Sequence, residues 1–159
     1  MGANMTRLFK FTIYILVIAL LVFTIPQEAS AASCLLQESD VIYLEDGYIV
    51  VTTKEVELRA SNTKSGTRYY TYNDNNGNVV WEIALTGVFT YTGTSATCTS
   101  SSVNVTINNN NWYTVSKTAG KSGNTATADV TMGKKLLGIT ISKTDYRLTL
   151  TCSPTGTLS

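Results

Sequence analysis

The stretch RYYTYNDNNGNVVWEIAL, residues 68–85, decides the fold class, because apolar and polar side chains alternate on both sides of a turn. The turn is Asp74-Asn75-Asn76-Gly77, whose residues accept left-handed backbone at low cost, so the stretch predicts a β-hairpin. In its outgoing arm every second residue is apolar, which predicts a strand with one buried face. That face consists of Val79, Trp81, Ile83 and Leu85.

The preceding sequence predicts another hairpin. In VIYLEDGYIVVTT, residues 41–53, Asp46-Gly47 is expected to supply the positive φ angles of a type I′ turn. The second arm is expected to continue into residues 54–60, where Val56 and Leu58 face one way. Glu55 and Glu57 are expected to face the other way, into solvent.

The sequence after residue 85 continues the alternation but slips in parity. Phe89 keeps the odd positions, Cys98 is even, and the apolar residues at 103, 105 and 107 are odd again, so we expect a bulge within Thr99–Ser102. Further alternating faces are predicted over residues 126–132, 137–141 and 146–152. The last residues, 153–159, are expected to be ragged.

These patterns predict eight or nine short strands and an all-β fold, an antiparallel β-sandwich or barrel. We expect one domain over residues 32–159. The order Cys98, Trp112, Cys152 favours an immunoglobulin-like sandwich, although Leu150 stands where that fold has a tyrosine, two residues before the second cysteine.

Residues 1–31 predict a signal peptide helix and therefore a secreted protein. Arg7 and Lys10 precede the apolar run Phe11–Ile25, and the small residues Ala29-Ser30-Ala31 follow it. The alternative is a membrane anchor, but the run is shorter than the roughly 20 apolar residues that a span needs.

A second alternative is a lipid-anchored surface protein. Bacterial lipoproteins are cleaved directly before a cysteine that receives lipid, and Cys34 lies just after the small residues. The position three residues before it is Ala31 rather than a leucine-like residue, so we favour the free secreted form.

Composition limits the chemistry. The chain has no histidine, which removes the usual general base and excludes serine or cysteine catalysis relayed through histidine. Without residues 1–31 the basic and acidic residues balance, so the composition indicates neither nucleic acid nor anionic membrane as a partner. We expect no cofactor, and no membrane span after signal cleavage.

Three cysteines occur in a chain expected to reach an oxidising environment. Cys98 and Cys152 lie in predicted strands, whereas Cys34 lies near the mature N-terminus. The simplest pairing is a Cys98–Cys152 disulfide with Cys34 unpaired or lipidated. The alternative is three free thiols.

Carboxylates offer one route to an enzyme. Glu55 and Glu57 share a predicted strand face, and paired carboxylates can hydrolyse glycosides. We favour the interpretation that these residues, and Glu82, are solvated side chains on open strand faces. The oxygen-rich turn Asn73–Asn78 lacks the distal glutamate of an EF-hand calcium loop, so no metal site is predicted.

Aromatic residues offer a route to binding. An aromatic face could hold a glycan or a peptide, since aromatic rings combine apolar area with polar edges. The candidates are Tyr70, Tyr72, Trp112 and Tyr113. The leading interpretation is therefore a secreted, non-enzymatic binding or structural module with an extracellular protein or glycan as partner, and the alternative is a carboxylate-based glycan hydrolase.

The second half of the chain, residues 86–159, resembles a group of small secreted proteins from Gram-positive, clostridia-like bacteria. The shared pattern has the opening G-x-F-x-Y-x-G-x-x-A-x-C, a central tryptophan, K-S-G-x-x-A, K-x-x-L-G and a closing L-x-C-S-P-x-G. Members of the group have no established function, so the resemblance implies no active site. It implies secretion and the Cys98–Cys152 pair. The matching positions are Gly87, Phe89, Tyr91, Gly93, Ala96, Cys98, Trp112, Lys121, Ser122, Gly123, Ala126, Lys134, Leu137, Gly138, Leu150, Cys152, Ser153, Pro154 and Gly156.

Overall fold

The computed structural model describes residues 35–58 and 62–159, except for the side chains of residues 35–39 and 57. The predicted signal peptide, its cleavage site and Cys34 lie outside the described residues. All described residues belong to one compact unit. They form eight strands: β1 (Leu35–Leu44), β2 (Gly47–Glu57), β3 (Thr63–Asp74), β4 (Val79–Tyr91), β5 (Ala96–Ile107), β6 (Trp112–Ser122), β7 (Thr125–Leu136) and β8 (Ile139–Thr151).

The strands form two antiparallel sheets, which confirms the all-β sandwich. One sheet has the order β1-β2-β3-β4-β5 and the other has the order β6-β7-β8. Within each sheet, sequential strands are therefore neighbours, and the connection from β5 to β6 passes from one sheet to the other. This order differs from the immunoglobulin one, in which Greek-key connections separate sequential strands. Hairpin turns can make a meander from short loops alone, and short polar turns dominate this chain.

The predicted hairpin at residues 68–85 is present and has the expected turn. Its predicted buried face is wrong at Val79, which is 42% exposed while Val80 is buried, because the pairing register shifts between Tyr72 and Asn73. Gly77 has φ +82°. Asp74 Oδ1 accepts hydrogen bonds from the backbone N–H groups of Asn76 and Asn78, each at 2.9 Å. The Asn78 side-chain amide also donates to this carboxylate, at 3.0 Å. That hydrogen bond, followed by those from the backbone, lowers the pKa of the Asp74 carboxyl.

The first hairpin differs from its prediction. Leu44 pairs with Gly47, so the loop consists of Glu45 and Asp46. Neither loop residue has a positive φ. Gly47 is required for a different reason: a Cβ there would lie 2.1 Å from the Asn73 carbonyl oxygen.

The parity slip in β5 is a bulge, as predicted. Val88 pairs with Ser100 and Phe89 pairs with Cys98, so Thr99 is the extra residue. The bulge places Cys98 on the same inner face as the odd apolar residues of β5. The core between the sheets combines Trp81, Ile83, Leu85 and Phe89 with buried residues of β7 and β8.

The C-terminal segment is ordered rather than ragged. Ser159 exchanges backbone hydrogen bonds with Thr151, and Cys152 bridges to Leu158. The Leu158 side chain is completely buried. It lies directly over Gly66, where a Cβ would be 2.2 Å from its Cδ1 atom. The expectation failed because a single buried leucine anchors this segment.

Candidate functional site

A cleft of about 340 Å³ opens beside the β1–β2 loop, between that loop and strands β6 to β8. Its size lies at the lower end of the range for ligand pockets. Aromatic side chains and a few polar groups line it together. The lining residues are Leu44, Asp46, Tyr72, Trp112, Lys134, Ile141, Ser142, Thr144 and Tyr146.

The aromatic part of the cleft is a cluster of four rings. The Trp81 ring lies 5.3 Å from Tyr72, 6.1 Å from Trp112 and 4.9 Å from Tyr146, measured between centroids. Trp81 is completely buried, so it fixes the positions of the three rings that line the cleft. Each such ring pair contributes about 0.5–1.5 kcal/mol beyond the area it buries. The cleft wall is therefore rigid and preformed.

Trp81 also carries a polar group that the described residues leave unpaired. Its indole Nε1 is buried and has no hydrogen-bond partner among them. Most buried tryptophan N–H groups do have a partner, because an unpaired buried donor costs about 1–3 kcal/mol. The unpaired Trp81 N–H is therefore an energetic cost located directly behind the cleft wall.

The polar part of the cleft is organised by Asp46. Its carboxylate accepts hydrogen bonds from the Lys134 ammonium at 2.6 Å and from the Tyr72 hydroxyl at 3.0 Å. The hydrogen bond from Lys134 is the main reason why the pKa of Asp46 lies below its usual value. Burial raises the pKa of Tyr72, and the hydrogen bond to Asp46 adds to that effect. At neutral pH Asp46 is therefore a carboxylate and Tyr72 a neutral phenol.

The Lys134 ammonium also lies 5.5 Å from the centroid of the Trp112 ring. A cation at this distance is attracted by the ring face. The absence of a side chain at Gly47 leaves space for the Tyr72 ring, because a Cβ at this position would lie 2.7 Å from a Tyr72 ring atom. Contacts between distant strands therefore position both the charged pair and the aromatic wall.

The structure brings together only part of the predicted aromatic face. Tyr72 and Trp112 meet in the cleft, with ring centroids 5.5 Å apart. Tyr70 is partly buried and packs against the core. Tyr113 packs across Gly133 and its hydroxyl lies 2.8 Å from Thr140 Oγ1, on the opposite face of its strand from Trp112.

Sequence reasoning did not identify the remaining cleft residues. Asp46, Lys134 and Tyr146 come from three distant parts of the chain and meet through tertiary packing. Burial raises the pKa of Tyr146. Asp46 was assigned only to a turn and Tyr146 only to a strand face, so no local signal marked them as cleft residues.

The predicted Cys98–Cys152 disulfide is not formed in this structure. Both residues are buried free thiols, and each Sγ donates to a nearby backbone carbonyl instead, of Ser100 and of Ser153. Burial raises the pKa of both thiols, which favours the protonated form. Their backbone N–H groups bind the consecutive carbonyls of Gly123 and Asn124, so the two cysteines lie on either side of one turn.

The candidate carboxylates do not form a facing pair. Glu55 is buried rather than solvated: it forms an ion pair with Lys64 at 3.1 Å and accepts the backbone N–H of Leu158. Glu82 lies on the outer face of β4, because its neighbours Trp81 and Ile83 point into the core. The side chain of Glu57 is not among the described ones. Glu55 and Glu82 thus lack the shared cleft that glycoside hydrolysis requires.

No group of three or more acidic or cysteine side chains is arranged to hold a metal ion within residues 35–58 and 62–159. In the same part of the chain no helix is long and apolar enough to cross a membrane.

Comparison with known proteins gave no match: neither a protein-family model, nor a curated protein, nor a solved structure is similar to this chain.

Proposed function

We propose that this protein is a secreted, non-enzymatic binding module that holds a saccharide unit of an extracellular glycan in the aromatic cleft. The observation that carries the proposal is the joint presence of three aromatic rings and the Asp46–Lys134 pair in one cleft. Secretion is inferred from the predicted signal peptide.

The chemistry of the cleft fits a sugar ring. A sugar presents C–H groups on one face and hydroxyl groups around its edge, so it needs an apolar wall together with donors and acceptors. Trp112 and Tyr146 supply partly exposed ring surface. Asp46 can accept hydrogen bonds and Lys134 can donate them. The volume suits one or two sugar units.

A peptide ligand fits less well. Peptides commonly add a strand to a free sheet edge, and the cleft is formed by side chains at the end of the sandwich. Hydrolysis is also disfavoured, because Asp46 is the cleft's carboxylate and its pKa is lowered, whereas a general acid needs a raised pKa.

Saccharide binding can be tested with the secreted protein on a glycan array, followed by titration of the best ligand while tryptophan fluorescence is recorded. Trp112→Ala should reduce affinity at least tenfold, because it removes the partly exposed wall of the cleft. Tyr113→Ala is the matched control, since the neighbouring ring lies on the opposite face. Equal losses in the two variants would contradict the proposal.

Trp112 contacts the buried cluster, so its removal can also lower stability. Lys134→Ala and Ser142→Ala supply a second test, because both side chains line the cleft and neither belongs to the core. We expect weaker binding from both variants. The urea midpoint should be unchanged in Ser142→Ala and should fall slightly in Lys134→Ala, which also loses the ion pair with Asp46. A protein that binds no saccharide on the array, or variants that bind as the parent does, would refute the assignment of the cleft.

A further inference from the structure

The β7–β8 hairpin ends in an unusually apolar tip. Seven consecutive residues of β8, from Ile139 to Asp145, are exposed. The tip carries four large aliphatic side chains with exposed fractions of 58% (Leu136), 94% (Leu137), 70% (Ile139) and 54% (Ile141). Exposed apolar residues are ordinary when scattered, but a contiguous group marks a surface that contacts something.

The turn itself gives a second indication. Leu137 and Gly138 form the turn with φ angles of +51° and +83°. Such a turn favours asparagine, aspartate or glycine at its first position, and a leucine there is strained. The chain thus places a large apolar side chain where the backbone disfavours it and where packing gains nothing.

The apolar side chains share a direction. Leu136 pairs with Ile139, so both lie on one face of the hairpin. Ile141 is the extra residue of a bulge, because Lys135 pairs with Thr140 and Lys134 with Ser142, and it lines the cleft beside Ser142. The other face is polar: Thr140 binds Tyr113, and the Lys135 ammonium lies 4.4 Å from the centroid of the Tyr113 ring. The hairpin is therefore amphipathic, with an apolar tip.

Charge indicates what the tip contacts. From residue 133 to residue 145 the chain has lysines at 134, 135 and 143 and one acidic residue, Asp145. Asp46 pairs with Lys134, so Lys135 and Lys143 outnumber Asp145 and leave a small positive excess on the hairpin. Counted along extended strands at about 3.3 Å per residue, these two lysines lie roughly 7–16 Å behind the turn. If the apolar tip lay below the lipid head groups, the ammonium groups of these two lysines would therefore lie at the level of the head groups.

We propose that the β7–β8 hairpin docks this protein on an anionic phospholipid surface, inserting Leu136, Leu137 and Ile139 with Lys135 and Lys143 at the head groups. The insertion is shallow. Backbone pairing between Leu136 and Ile139 satisfies part of the hairpin's polar groups, and only the turn would approach the acyl chains. The chain as a whole is nearly neutral, so its composition does not reveal the local positive charge of the hairpin.

The proposal is tested by cosedimentation of the secreted protein, its N-terminus checked by mass, with vesicles of phosphatidylcholine with and without phosphatidylglycerol. Parent protein should bind the anionic vesicles and lose binding as salt increases. Leu137→Asn should lower the partition coefficient about tenfold, since it removes one inserted leucine while suiting the turn. Lys143→Glu changes the charge by two units, and the partition coefficient should fall about fivefold for each unit.

Matched controls are Val115→Asn and Lys117→Glu, which make comparable changes at exposed positions of β6 away from the tip. Both should bind vesicles as the parent does. No binding of the parent to anionic vesicles, or equal losses in the hairpin and control variants, would overturn the proposal. So would a parent that forms dimers which Leu137→Asn dissociates, because the tip would then contact a second copy.

Discussion

Replacing Leu158 with alanine tests whether the C-terminal segment belongs to the core. The leucine side chain is completely buried and lies over Gly66, with Leu150 beside it. Gly66 has no side chain that could move into the space left behind. Leucine-to-alanine changes in cores cost about 2–5 kcal/mol, and the cost increases where the site cannot collapse. We therefore expect a loss of about 3 kcal/mol in the free energy of unfolding.

Urea unfolding followed by far-UV circular dichroism and tryptophan fluorescence measures this loss. For a domain of this size it corresponds to a fall of about 10 °C in Tm. The backbone N–H of residue 158 still binds Glu55 in the variant, so the change isolates side-chain packing. Thr157→Ala is the control, because Thr157 is exposed and should change stability by less than about 0.5 kcal/mol. A Leu158→Ala protein as stable as that control would refute the argument.

Three further predictions follow from other contacts. Gly87→Ala should cost about 1–3 kcal/mol of unfolding free energy in urea, because the new Cβ would lie 2.7 Å from an aromatic ring, and an unchanged midpoint would contradict this close approach. Cys98 and Cys152 should resist iodoacetamide in the native protein and react in urea without reductant, as judged by mass; labelling in urea only after reduction would instead establish the disulfide. The pKa of Asp46 is lowered in the folded state, so its contribution to stability is present above its ordinary value of 3.8 and disappears as the pH falls through the folded pKa. The stability difference between the parent and Asp46→Asn should therefore shrink in acid, and a difference independent of pH would argue against the Asp46–Lys134 contact.

Local patterns predicted the features that depend on strand parity. The bulge at Thr99 was predicted because a pleated strand alternates its side chains strictly, and only a bulge restores a slipped parity. The turn Asp74–Gly77 was predicted from residues that accept left-handed backbone. The rule of alternation also explains an error at Glu55. Ile49 is buried, and counting every second residue from it places Glu55 on the inner face. The prediction instead took the apolar Val56 as the inward residue. Glu55 is buried because β2 continues without a change of parity.

Features that depend on where the opposing sheet ends were not predictable from the sequence. Ile139 and Ile141 alternate as a buried face would, yet they are exposed. Alternation reports which face is apolar but not whether another layer covers it. The cleft is similar: Tyr72 and Trp112 were candidates by composition, while Asp46 and Lys134 meet only because β1–β2 and β7–β8 lie at the same end of the sandwich.

The cleft and the hairpin tip share Ile141, yet their proposed roles can be separated. Leu137 lies at the turn and does not line the cleft, whereas Trp112 lines the cleft and lies outside the hairpin. Residues without shared partners usually act additively. Leu137→Asn should therefore weaken vesicle binding with saccharide affinity unchanged, and Trp112→Ala should do the reverse. A double variant should show the sum of the two free-energy changes. If Leu137→Asn lowered saccharide affinity as strongly as it lowered vesicle binding, the tip would be part of the saccharide site, and separate membrane docking would be the wrong interpretation.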